Sequence, residues 1–210
     1  MAGHGGDLTA QTTYERIAAN LKAHERHVID PTDRRRAAVA LLISPLAGVL
    51  TYALTRRALT LRRGAGNYAL PGGNFEPGED AIDAAVRESN EELGLTLERG
   101  TALGMLDDFL TLGGHVVTPV VLWSPAPLAL NPDPTEVHAA FLEPLSDLDH
   151  PEAPRSVVNP DGGEPILRMY AQGNWINPPT AAFLLQFREV ALHGRATRVH
   201  MVGQPNWTAR

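Results

Sequence analysis

The chain is 210 residues long and 43% hydrophobic, enough to bury a sizeable core and most simply one domain over residues 1–210. Its formal net charge of −6 argues against nucleic acid as a partner, since duplex binding relies on many cations along one face. No run of about 18 apolar residues offers a membrane span and no charged-then-apolar leader opens the chain, while the absence of cysteine excludes disulfides, thiolate zinc sites and a cysteine nucleophile; a cytoplasmic protein with no membrane partner is expected.

In chain order, the segment Thr9 to His24 sets Ile17, Ala18 and Leu21 at helical spacing and predicts an amphipathic helix over 9–24. The apolar runs Ala37 to Pro45 and Gly48 to Arg57, separated by a Pro/Gly turn, predict two buried strands. A Gly/Pro-rich loop from Gly72 leads into a predicted helix from Ala81 to Leu93, followed by strands at Ala102 to Phe109, His115 to Trp123 and around Val137 to Phe141. Asp107 and Asp108 either extend an acidic site or end a strand. The stretch from Pro151 to Pro165, dense in Pro and Gly, reads as a long loop. A helical tail over 179–210 is expected, opening with a helix from Pro179 to Leu192. Tyr170, Trp175 and Trp207 are expected to pack, and His115, His138 and His200 share no metal-ligand spacing. Strands alternating with a few helices predict an α/β sandwich with helices on both faces of a mixed sheet.

The chemistry concentrates between Gly72 and Leu95, GGNFEPGEDAIDAAVRESNEELGL. On a helix, Glu88, Glu91 and Glu92 stand at i, i+3 and i+4, so their carboxylates crowd on one face. At about 4 Å, two such charges repel by roughly 4 kcal/mol at an effective dielectric of 20. A cation resolves that conflict. The implied site is all oxygen, can accept the Gly72 carbonyl, and suits Mg²⁺ or Mn²⁺ better than zinc. The bland alternative is an exposed acidic face with Arg87 and Glu91 as an ordinary i,i+4 ion pair. No glycine loop leads into Gly-Lys-Ser/Thr and there is no Gly-x-Ser-x-Gly elbow, which argues against P-loop and serine-hydrolase chemistry.

The spacing goes further. Gly73, five residues, Glu79, seven residues, then Arg87, Glu88, Glu91, Glu92, Gly94 and Leu95 resembles the Nudix box over 73–95. A chance match to seven fixed positions is on the order of one in a billion per start. Ser89 departs from the pattern, which has a hydrophobic residue there, facing the sheet. The resemblance implies a Nudix-type α/β/α sandwich whose loop-helix-loop box binds divalent metal and hydrolyses a nucleoside diphosphate linkage. Carried over by position, Glu88 and Glu92 are the metal ligands, with Glu91 a third and the Gly72 carbonyl a fourth, while Arg87 and Glu79 orient them. The general base is Glu91 or Glu88 within the box, or Glu136 outside it. A homodimer is the family expectation. A nucleotide-sensing module without turnover is the reading from another class, and retention of all four box glutamates argues against it.

Upstream, LTRRALTLRRGAGNYALPGG from Leu54 to Gly73 resembles the signature of the coenzyme A pyrophosphatases, with Gly64 in place of a histidine and Leu70 in place of a phenylalanine. That resemblance implies coenzyme A or acyl-coenzyme A as substrate, cut to 3′,5′-ADP and 4′-phosphopantetheine, with Arg56, Arg57, Arg62, Arg63 and Gly73 as substrate-binding candidates. Arginines near a phosphate loop suit a ligand carrying a diphosphate and a 3′-phosphate. ADP-ribose, NADH and other nucleoside diphosphate derivatives stay open as alternatives.

Overall fold

The computed structural model describes residues 5–30 and 32–209, with side chains from residue 10 onward except those of 207 and 209, so the packing expected of Trp207 lies outside the described residues. In chain order the elements are α1 (Gly5–Ala23), β1 (Arg35–Leu46), β2 (Val49–Arg57), β3 (Tyr68–Ala69), β4 (Gly72–Asn74), α2 (Ala81–Leu93), β5 (Ala102–Met105), β6 (Phe109–Leu110), β7 (His115–Trp123), β8 (Val137–Pro144), β9 (Arg155–Val157), β10 (Ile166–Ala171), β11 (Asn174–Ile176) and α3 (Thr180–Gln186).

The layering follows from β1, which is apolar on both faces. Side chains alternate along a strand, so Ala37, Leu41 and Ile43 enter one core cluster with Ile17 of α1 and Phe183 of α3. Ala38, Ala40 and Leu42 enter another with Ala84, Ala85 and Leu93 of α2. β1 runs parallel to β7, from Arg35 opposite His115 to Ile43 opposite Trp123, and antiparallel to β2 and β4. With β8 and β3 on β2, and β5 and β6 on β7, this makes a mixed sheet of eight strands between helical layers. No helix among the described residues is long and apolar enough to cross a membrane.

Several expectations change. The first helix starts earlier and ends one residue sooner than 9–24. The strand expected at Ala102 to Phe109 is two strands, because Asp107 and Asp108 turn inward and are buried. Asp107 accepts bonds from His24 Nε2 (2.9 Å), the His27 amide (2.8 Å) and Arg198 (2.7 Å). Asp108 pairs with Arg26 and Thr118. These acids brace the 24–29 segment and do not extend the acidic site. The Pro151 to Pro165 loop contains β9, which pairs with β10, and β10 with β11, in a second sheet of three strands. The helical tail over 179–210 is confined to α3, a π-helical continuation at Phe187–Leu192, and a 3₁₀ turn at Asn206–Ala209; Gly194 in the left-handed region (φ 66°) follows the end of the π-helical continuation.

Candidate active site

The site is assembled by a short strand laid against a helix. β4 pairs with β1 through Gly72 opposite Val39 and Gly73 opposite Ala38, and a side chain at either glycine would force a neighbour to move. A Cβ on Gly72 would overlap the Ala38 carbonyl oxygen and come within 2.7 Å of Val39 Cα, while one on Gly73 would overlap the Glu88 carboxylate. The Gly72 amide donates to Glu92 Oε2 at 3.3 Å.

α2 is framed at both ends. Asp80 caps its first turn by accepting from the amides of Ile82 and Asp83 in a reciprocal capping box, and Gly94 ends it at φ 63°. Ser89, where an apolar residue was expected, is fully buried and donates to the Ala85 carbonyl at 2.7 Å, so its hydroxyl is satisfied.

Arg87 ties loop to helix. Its Nε donates to Glu79 Oε1 (2.7 Å), Nη1 to Glu88 Oε1 and Glu91 Oε2 (both 2.9 Å), and Nη2 to the Asn74 carbonyl (2.9 Å) and Glu79 Oε2 (3.1 Å). Arg87 thus joins Glu79, Glu88, Glu91 and the Asn74 carbonyl in one bonded set.

The carboxylates that meet are Glu88, Glu92 and Glu136, whose oxygens all lie within 4.8 Å of one another. Glu136 arrives from the turn before β8. That turn is bound to the end of α2 by the Asp133 amide on the Glu92 carbonyl (3.0 Å) and the Asn131 amide on the Leu93 carbonyl (2.8 Å). Glu91, expected as the third ligand, stands outside this group. Its side chain is 60% exposed and paired with Arg87, because at position i+3 from Glu88 it has rotated toward solvent, and Glu136 is the third carboxylate that meets Glu88 and Glu92. Of Gly72, the amide rather than the carbonyl is engaged with the group.

Burial pushes the Glu92 carboxyl up to about 8, the nearby Glu88 charge pushes the same way, and Arg57 and the Gly72 amide oppose them. Glu88 is also raised, first by burial, with Arg87 opposing. Glu79 is lowered by its bond to Arg87. Three crowded carboxylates, with Glu88 and Glu92 holding their protons too tightly, are the donor set for a hard divalent cation, which can take the place of those protons.

Of the four arginines, Arg57 acts electrostatically on Glu92 and also lines a cleft of about 280 Å³. Arg56 donates to the Gly66 carbonyl (3.2 Å) and lies 6.0 Å over the Tyr68 ring. Arg62 and Arg63 are exposed on the loop between β2 and β3. In the far wall of the cleft, Asn174 and Asn177 carried no signal in the sequence, and Trp175 was expected only to pack. Tyr170 and Trp175 do pack on each other, centroids 5.3 Å apart, but each stays partly exposed.

A NUDIX domain model matches residues 33–159, a span that includes every carboxylate described above. The uncharacterized Nudix hydrolase NudL of Photorhabdus laumondii is 39% identical over 117 residues, 55% of this chain and 63% of that protein. NudL of Escherichia coli K12 is 36% identical over 121 residues, 56% of this chain and 62% of that protein. The matches thus span less than two thirds of these curated relatives. Among solved structures, the Nudix hydrolase RenU of M. smegmatis is similar with a TM-score of 0.45 and 26% identity, covering 55% of this chain and 74% of that one.

Proposed function

The chain belongs to the Nudix family, and from that premise we propose that it hydrolyses the diphosphate linkage of coenzyme A or an acyl-coenzyme A, releasing 3′,5′-ADP and (acyl-)4′-phosphopantetheine. The observation that carries the hydrolytic part is the meeting of Glu88, Glu92 and Glu136 within 4.8 Å. These three residues would hold Mg²⁺ or Mn²⁺. Bound there, the cation supplies positive charge that neutralises phosphate oxygens and lowers the pKa of water.

The remaining work belongs to the chain. Arg87 fixes Glu88 relative to Glu79 and the loop, and the Gly72 amide fixes Glu92. Arg57, charged and beside the cleft, offsets the substrate's negative charge. Water attacks phosphorus, the anhydride P–O bond breaks, and the water's proton passes to Glu136, the solvent-exposed member of the group.

Coenzyme A is supported by the Leu54 to Gly73 signature, whose basic residue Arg57 lies beside the carboxylates. A second reading, ADP-ribose or NADH, is favoured by one observation. At Gly64 the side chain of the signature histidine is missing, and the vacated Cβ position is 3.6 Å from Arg57 Cδ and Nε.

The test is product identification by mass spectrometry after incubation with Mg²⁺ or Mn²⁺ and coenzyme A, acyl-coenzyme A, ADP-ribose, NADH or a diadenosine polyphosphate. Release of 3′,5′-ADP that chelation abolishes is the expected result. Cleavage of another nucleotide alone would replace coenzyme A as substrate, and no turnover of any would overturn the hydrolase.

A further inference from the structure

The cleft beside Arg57 has two walls of different origin. One is the β2–β3 segment, with Arg57, Asn67 and Tyr68; the other is the tail beyond the family match, with Asn174, Trp175 and Asn177. At about 280 Å³ it approaches the roughly 300 Å³ lower bound of small-molecule pockets. Two bonds hold the tail to β3, from Asn174 Nδ2 to the Tyr68 hydroxyl and from Thr180 Oγ1 to the Tyr68 carbonyl, both 3.3 Å. Arg57, which lines the cleft, also acts electrostatically on Glu92, and this residue links the cleft to the carboxylates.

We infer that this cleft, completed by the tail, holds the uncharged amide-bearing arm of the substrate and makes Asn67, Trp175 and Asn177 specificity residues. The inference rests on the coenzyme A reading above.

The lining selects for such a group. Among the described residues it contains no carboxylate and one cation, Arg57, which acts electrostatically on Glu92. Its other polar side chains include three carboxamides, Asn67, Asn174 and Asn177, each offering a donor and an acceptor, which suits amides on the ligand. Asn67 makes no side-chain hydrogen bond among the described residues. Asn177 Oδ1 is taken by Arg168 Nε at 2.8 Å, which leaves its NH₂ to donate. Tyr68 and Trp175 supply apolar faces. A 3′-phosphate dianion in the same place would give up its water for a single guanidinium, so the nucleotide half belongs outside the cleft.

The test uses the full chain with Mg²⁺ and compares wild type, Asn67→Ala and Trp175→Ala. Coenzyme A and ADP-ribose, which lacks such an arm, are compared in steady-state kinetics, and binding of 4′-phosphopantetheine is followed by calorimetry. Asn67→Ala breaks no side-chain bond, and melting curves with Trp175→Phe control for the larger truncation. We expect KM for coenzyme A to rise roughly tenfold with kcat little changed, a much smaller rise for ADP-ribose, and 4′-phosphopantetheine binding weakened roughly tenfold. Equal effects on both substrates, no effect on either, or no binding of 4′-phosphopantetheine by wild type would overturn the inference. If wild type cleaves coenzyme A while the variants leave its KM unmoved, the cleft assignment fails alone. If wild type cleaves ADP-ribose but not coenzyme A, the substrate reading fails and takes the arm with it.

Discussion

Glu92 is the buried carboxyl on which the site's pH behaviour turns. Its folded pKa of about 8 lies above its ordinary value of 4.5, so the folded chain binds this proton more tightly than the unfolded chain. The group's contribution to stability is therefore complete below about 4.5 and is lost as the pH rises through about 8. With metal chelated, the melting temperature is expected to fall over that window, and Glu92→Gln should flatten the fall; an unchanged profile in the variant would assign the pH dependence elsewhere. In the presence of Mg²⁺ or Mn²⁺ the same variant, and Glu88→Gln, should lose on the order of a hundredfold or more in kcat with the fold intact. Glu136 and Glu91 separate the present geometry from simple motif reading. Because Glu136 joins the three-carboxylate group and Glu91 pairs with Arg87, Glu136→Gln is expected to weaken Mn²⁺ binding more than Glu91→Gln does, as measured by titration calorimetry.

The box works as an element because loop and helix are each held independently. Asp80 caps α2 through two amides, and Asp80→Ala should destabilise the protein by about 1 kcal/mol in denaturant unfolding. The two loop glycines should fail in different ways. A methyl group at Gly72 meets backbone on β1, whereas at Gly73 it meets the Glu88 carboxylate. Gly72→Ala is thus expected to lower both stability and activity, while Gly73→Ala displaces a side chain and should lower kcat with little change in melting temperature. Similar melting losses in both variants would contradict this division.

At the scale of the whole molecule, the family match ends at residue 159, yet the core does not. Phe183, Leu184 and Phe187 from the tail are buried in the same cluster as Ile17, Leu41 and Tyr52. A chain cut after Asn159 would expose that face of the sheet and is expected to lose cooperative unfolding by circular dichroism; a sharp transition in the shortened chain would refute the dependence. Much was legible before any fold was known, because it is written in neighbouring residues. The spacing of Glu88 and Glu92, the apolar period of α2 between Asp80 and Gly94, and the unbroken run of β7 all express local geometry, which repeats every two or 3.6 residues. What the chain could not announce depends on segments distant in sequence. Asp107 and Asp108 split a strand because Arg26, His24 and Arg198 come to them. Glu136 displaces Glu91 from the carboxylate group because the turn before β8 is hydrogen-bonded to the end of α2. Arg57, rather than Arg62 or Arg63, reaches the site because β2 carries it there, and the tail closes the cleft beside it. Such meetings leave no periodic trace, since they are decided by which buried polar groups find partners once the sheet has formed.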